Sequence, residues 1–277
     1  MKSLSFFTLL ISLISLLANA RPTTFAERHS YSSAIRLPGE SGDDGMKRLR
    51  KAYIKVHGHS PKLYDKNAQE MAIDIDELDT SILPQWPSVG VMNSAFEYMR
   101  DSRFLFTEDK ADFARRISWL YPDDGCYARA AMAVHKLEDT KLEAPYKVFI
   151  FGNLRVKTPN SPSGRVGWVY HVAPVVSVEG VAFVLDAAIN PISPTPLRDW
   201  IMTMVKNSHD ARVSICSTNS YTPDQACRKS TPEDDDDATA DQQEYLQEEW
   251  NQLEEMNRNP EKELGDEPPW IKSLLSL

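Results

Sequence analysis

A thiol, an imidazole and a carboxylate follow one another along this chain in an order suited to acyl transfer. Cys126 comes directly after Asp123-Asp124-Gly125 and opens an alanine-rich apolar run. This pattern reads as a turn that delivers a thiol to the first turn of a helix, with Asp123 or Asp124 as N-cap. Unpaired backbone N–H groups and the positive end of the helix dipole would favour a thiolate there. A thiol nucleophile needs a base, and the base needs a group to orient it. His171 stands within Gly167-Trp168-Val169-Tyr170-His171-Val172-Ala173, and Asp186 closes the next apolar run. Each also has an ordinary reading: Cys126 as a small buried apolar residue, His171 as a satisfied core histidine, Asp186 as the polar end of a strand.

The elements that must position these residues can be read from periodicity. Ala130, Ala133, Val134 and Leu137 recur at helical spacing after Cys126, so a helix is expected to end near Glu138-Asp139. Lys147 to Val156, Val166 to Val178 and Val181 to Asp186 are rich in Val, Phe and Ile and read as strands. If Glu179-Gly180 forms a two-residue turn, Val178 pairs with Val181, and Ala173 lies opposite Asp186. His171 and Asp186 then share a face as diagonal neighbours, roughly 7–8 Å apart at the backbone. A bulge at Pro174 would send Asp186 to the other face. Trp168 and Tyr170, on the histidine's own strand, are candidate walls of a substrate slot, with packing in the core as the alternative.

Helices are also expected over Met92 to Phe106, Asp109 to Leu120 and Leu197 to Met202. Helices first and adjacent strands second make the fold class α+β, with a Cys-bearing helix packed on an antiparallel sheet.

The blocks Asp124-Gly125-Cys126-Tyr127-Ala128-Arg129-Ala130, Trp168-Val169-Tyr170-His171-Val172-Ala173 and Val184-Leu185-Asp186 resemble the protein-glutaminase (protein-glutamine deamidase) family of secreted bacterial enzymes. The resemblance covers about residues 90 to 200. Ala187 departs from the pattern, standing where a proline is expected. The resemblance implies a transglutaminase/papain-like core, with Cys126 as nucleophile, His171 as base and Asp186 as its orienter. It further implies deamidation of glutamine side chains in protein or peptide substrates without a cofactor, and a pro-segment ahead of the catalytic domain. Proteolysis or cross-linking on the same triad, and a non-catalytic secreted interaction protein, are the competing readings.

The rest of the chain frames that core. Lys2, the apolar stretch from Leu4 to Leu17 and Ala18-Asn19-Ala20 read as a signal peptide over residues 1–20, too short to span a bilayer, so a secreted or periplasmic product with no membrane association after cleavage is expected. Residues 21–85 read as a pro-segment or N-terminal extension, with one strand at Ala52 to Val56. His57 and His59 lack acidic or cysteine partners at a diagnostic spacing, so no metal site is expected.

The catalytic domain is expected over residues 86–230. Cys216 and Cys227 bracket a Ser, Thr, Asn and Pro loop and suit a disulfide, which leaves Cys126 as the odd thiol. An acidic tail, 231–277, completes the chain. Residues 232–277 hold 15 acidic and 3 basic side chains out of totals of 40 and 31, so the remainder, with 25 acidic and 28 basic, is slightly basic. No basic block accompanies that balance, and no nucleic-acid partner is expected. The four-aspartate run at Asp234 to Asp237 reads as solvated, Tyr245 to Met256 as helical, and Trp270-Ile271 as a cluster that docks on a partner or back on the domain.

Overall fold

The computed structural model describes residues 36–58, 65–229 and 235–274. The expected leader lies outside these residues, as do His59 and the side chain of His57. In chain order the main elements are α1 (Gly42–His57), β1 (Gln85–Trp86), α2 (Val89–Asp101), β2 (Leu105–Thr107), β3 (Lys110–Arg115) and α3 (Cys126–Glu138). They continue with β4 (Tyr146–Lys157), β5 (Arg165–Val178), β6 (Val181–Val184), β7 (Thr195–Pro196), α4 (Leu197–Met204), β8 (Ala211–Cys216), α5 (Asp235–Glu255), α6 (Pro260–Leu264) and α7 (Pro269–Leu274).

Five strands form an antiparallel path in the order β7-β6-β5-β4-β8, and β1 adds a short parallel pairing to the end of β5. Strand β5 is buried without interruption from Trp168 to Val178. A strand covered on both faces needs such a continuous apolar run rather than alternation. Helix α3 packs on β5, α4 packs on β4, and α1 packs on both strands. The architecture is the α+β arrangement expected, with the Cys-bearing helix laid on an antiparallel sheet.

The β5–β6 register follows the turn. Glu179 and Gly180 both have positive φ, and Val178 pairs with Val181, Ser177 with Ala182, Val176 with Phe183 and Val175 with Val184. Positive φ at both central residues is what a two-residue hairpin turn requires. The same register extends to Leu185, whose N–H donates to Pro174 O at 2.9 Å. Pro174 therefore causes no slip between the two strands.

Two expectations are corrected. Ala52 to Val56 is not a strand but the last part of α1. Ser41 caps that helix through its Oγ on the Asp44 N–H, and Gly58 closes it in the left-handed conformation. Met46 and Leu49 supply the buried stripe one turn apart, so helical spacing prevails over the local alternation. Helix α1 also sits unusually close to the sheet, because a Cβ at Gly45 would lie 2.0 Å from Val169 Cγ1.

Asp109 to Leu120 is likewise not a helix. Glu108 and Asp109 turn the chain so that Thr107 pairs with Lys110 and Leu105 with Arg115, which makes the β2–β3 hairpin. Helix α2 ends at Asp101, so Phe104 falls outside it and its N–H donates to Arg115 O. Ile117 and Leu120 are buried from the irregular segment that follows.

Cys216 and Cys227 form the expected disulfide. By loop-closure entropy a link of this span contributes about 3 kcal/mol. The tail folds back onto the domain. Ala238, Gln242, Tyr245, Leu246, Glu249 and Leu253 of α5 are buried, and Trp270 Nε1 donates to Asp101 Oδ1 at 2.9 Å. Helix α5 begins inside the four-aspartate run, whose solvation lies outside the described side chains. Ala68, Leu83 and Trp86 join the same core cluster as Tyr245 and Trp270. Among the described residues no helix is long and apolar enough to cross a membrane.

Candidate active site

Cys126 is the first residue of α3. The cap ahead of it differs from the expected aspartate. Gly125, at φ 77°, is the N-cap, no side chain caps the helix, and Asp124 Oδ1 accepts from the Gly125 N–H at 2.8 Å. The left-handed conformation that admits glycine turns the chain sharply into the helix. Arg129, buried one turn on, clamps the incoming loop: its Nη1 donates to Tyr121 O at 2.7 Å and to Asp124 O at 2.5 Å.

His171 and Asp186 meet across the sheet. His171 Nε2 lies 2.8 Å from Asp186 Oδ2, and both side chains are buried. Asp186 Oδ2 also accepts from Trp200 Nε1 at 2.9 Å, and Asp186 Oδ1 accepts from the Ala188 N–H at 3.2 Å. Burial works to raise the pKa of this carboxyl. The charge of His171, the hydrogen bonds from His171 and Trp200, and Arg129 outweigh burial and hold it below the ordinary carboxylate value. The other ring nitrogen, His171 Nδ1, is buried without a hydrogen-bond partner.

Cys126, His171 and Asp186 line one cavity together with Trp119 and Arg129. It measures about 10 Å³, room for one water at most. Burial pushes the Cys126 thiol up to about 12. Arg129 and the Val172 N–H pull it down, while Asp124 and Asp186 add to the rise. In this closed arrangement desolvation therefore exceeds the helix-terminus effect that favours a thiolate.

The two aromatic candidates part company. Trp168 stacks on His171 with ring centroids 4.6 Å apart and an interplanar angle of 10°, and its Nε1 donates to Pro122 O at 3.0 Å. It thereby ties the histidine strand to the cysteine loop. Tyr170 is fully buried beside Phe151, centroids 6.3 Å apart, and neither Trp168 nor Tyr170 lines the cavity, so both are core residues rather than walls of a slot. Trp200 and Arg129 carry no functional assignment in the sequence reading, since a Trp in a short apolar helix and an Arg inside a motif give no signal of their partners.

Among the described residues, Asp74, Asp76 and His209 are grouped closely enough to hold a cation. His209 Nδ1 lies 2.7 Å from Asp74 Oδ2, and Asp76 pairs with Arg198, so the cluster is internally satisfied by ion pairs. It lies apart from the cavity-lining residues.

Residues 92–204 match the Gln_deamidase_2 family model, described as glutaminase. This segment is similar to glutaminases. No curated protein matches the chain. Among solved structures the chain is similar to the A47Q2 mutant of pro-protein-glutaminase, with 26% identity over 54% of this chain and 55% of that one at a TM-score of 0.40. It is also similar to pro-protein-glutaminase, with 24% identity over 64% and 58% at 0.40, and to protein-glutaminase from Chryseobacterium proteolyticum, with 25% over 50% and 75% at 0.40. The chain thus spans little more than half the length of the first of these.

Proposed function

We propose that the protein is a hydrolase that deamidates glutamine side chains of proteins to glutamate, through a Cys126–His171–Asp186 triad. The observation that carries this reading is the convergence of a helix-start cysteine and a buried His–Asp pair on one cavity within the segment similar to glutaminases. His171 keeps Nε2 on Asp186, which leaves Nδ1 to exchange a proton with Cys126. The thiolate attacks the carboxamide carbon, and backbone N–H groups at the start of α3 receive the developing oxyanion. The tetrahedral intermediate collapses as His171 gives its proton to the departing ammonia, leaving a thioester. His171 then takes a proton from water, hydroxide adds to the thioester, and collapse returns the thiol and a glutamate side chain. Asp186 acts as a positioning residue that steadies the imidazolium.

In this reading the substrates are proteins or peptides with exposed glutamine, and the chain is exported after cleavage behind Ala20. The test is ammonia release from casein, with products weighed and run on a gel. Deamidation adds about one mass unit per site without cleavage or cross-linking, and Cys126→Ala and His171→Ala abolish it while retaining the wild-type circular dichroism spectrum. Peptide fragments or cross-linked bands in place of ammonia would assign the triad to proteolysis or transamidation instead. A secreted product whose mass begins at Arg21 would support the export step, and retention of residues 1–20 would contradict it.

A further inference from the structure

Arg129 brings to the cavity a charge and a donor that the resting protein leaves unused. It stands one turn after Cys126 on α3, is only 3% exposed, and lines the same cavity as Cys126, His171 and Asp186. Its Nη1 donates to the carbonyl oxygens of Tyr121 and Asp124, and its Nη2 is buried without a hydrogen-bond partner. Both acceptors are carbonyl groups, not carboxylates. A guanidinium stays protonated inside proteins. A buried N–H left without an acceptor costs about 1–3 kcal/mol, and a buried charge costs more unless an opposite charge is near. A clamp on two carbonyl groups needs a donor but not a charge.

The triad itself creates the need for one. When the Cys126 proton passes to His171 Nδ1, the S–H bond breaks, an N–H bond forms, and a thiolate and an imidazolium appear in one small cavity. The imidazolium already has its partner, because Asp186 Oδ2 lies 2.8 Å from His171 Nε2. The thiolate is left with the Val172 N–H and the guanidinium. Burial is the largest influence on Cys126 and opposes the thiolate, as do Asp124 and Asp186, while Arg129 is the largest influence in its favour, ahead of the Val172 N–H. Attraction between charges is strongest where water is excluded, and this cavity has room for one water at most.

We propose that Arg129 is the counter-charge of the Cys126 thiolate, with its Nη2 donor held for the negative charge that forms in the cavity, as Asp186 is held for the His171 imidazolium. The acyl transfer that this charge serves rests on the deamidation reading, whereas the counter-charge itself does not.

Cys126 is the one cysteine outside the disulfide, so its alkylation can be followed alone. Iodoacetate and iodoacetamide place an anionic and a neutral group on the same sulfur, and a cation in the cavity favours the anionic reagent. His171→Ala removes the imidazolium as a competing source of that preference. In this variant the ratio of the iodoacetate rate to the iodoacetamide rate should exceed the ratio for mercaptoethanol by about 5-fold or more. Adding Arg129→Gln should bring it to within about 2-fold of mercaptoethanol, and Arg129→Lys in its place should keep most of the preference. A ratio in His171→Ala equal to that of mercaptoethanol would overturn the proposal, and this comparison decides even if the Arg129 variants lose their cooperative melt. A ratio unchanged by Arg129→Gln would overturn it as well. In the chain with His171 intact, Arg129→Gln should lower kcat for ammonia release from casein by about 100-fold with little change in KM. Arg129→Lys should recover about 10-fold of that loss. Equal losses in the two variants would reduce Arg129 to a clamp and contradict the counter-charge. An anion preference that depends on Arg129, in a chain that releases no ammonia, would keep the counter-charge and overturn deamidation.

Discussion

At the scale of single residues, the Cys126 thiol is held in its neutral form by burial, which raises its pKa to about 12. A free thiol near 8.5 is roughly a quarter ionised at pH 8, whereas one near 12 is ionised to about one part in ten thousand. Alkylation of the closed wild-type chain at pH 8 should therefore be slower than that of a model thiol by about three orders of magnitude and should climb with pH. Equal rates would contradict the burial of Cys126. Asp186 is shifted the other way: burial raises it, but His171, Trp200 and Arg129 prevail and lower it. A lowered folded-state value contributes stability above the ordinary carboxylate range, and that contribution is lost as pH falls through the lowered value. The melting temperature of the wild type should thus fall more steeply in acid than that of Asp186→Asn, the two converging at the acid end. A constant difference across pH would show that Asp186 is not ionised in the native state. In ammonia release, Asp186→Asn should be milder than Cys126→Ala, because the asparagine still accepts one hydrogen bond.

At the scale of elements, the site depends on three junctions: the Gly125 turn into α3, the β5–β6 register, and the Trp168 bridge between the cysteine loop and the histidine strand. The first two were legible. In the sequence the register is conditional on a Glu179-Gly180 turn without a bulge at Pro174; that turn forms, and His171 Nε2 lies 2.8 Å from Asp186 Oδ2. Cys126 at a helix start was legible from the alanine run, but the cap was not, because Asp124 turned inward onto the Gly125 N–H instead of capping the helix. The β2–β3 hairpin was misread because Phe113, Ile117 and Leu120 fit helical spacing, and only the pairing of Leu105 with Arg115 reveals the strand. Strand β8 escaped because its alternation is short and its stability comes from β4, a partner more than fifty residues away.

Helix α1 depends on close approach. Gly45→Ala places a methyl group where Val169 Cγ1 already stands, a clash in a packed region that typically costs about 1–3 kcal/mol. The melting temperature should fall by several degrees, and an unchanged melt would contradict the docking of α1 on β5.

At the scale of the whole molecule, the charge is divided between a slightly basic body and an acidic C-terminal segment carrying −12 of the net −9. That division was legible in composition, whereas the seating of the acidic segment on the loop ahead of Cys126 was not. The contacts that seat it are long-range pairs such as Arg115 with Glu249 and Ser118 with Gln242, and no local pattern announces them. The N-terminal side is similarly bound in. Ile73 bridges to Val213, and Ala68 and Leu83 are fully or almost fully buried, so a truncation at residue 85 strips side chains from the core as well as any cover. Variants within the full chain are therefore the sounder probe of regulation.

The most direct measurement of the central claim is ammonia release from casein by the full chain, compared with its Cys126→Ala variant at matched fold and concentration. The account expects ammonia from the first, with about one added mass unit per glutamine and no change in chain length, and none from the second. Equal release from the Cys126→Ala variant would contradict the triad and with it the proposed chemistry.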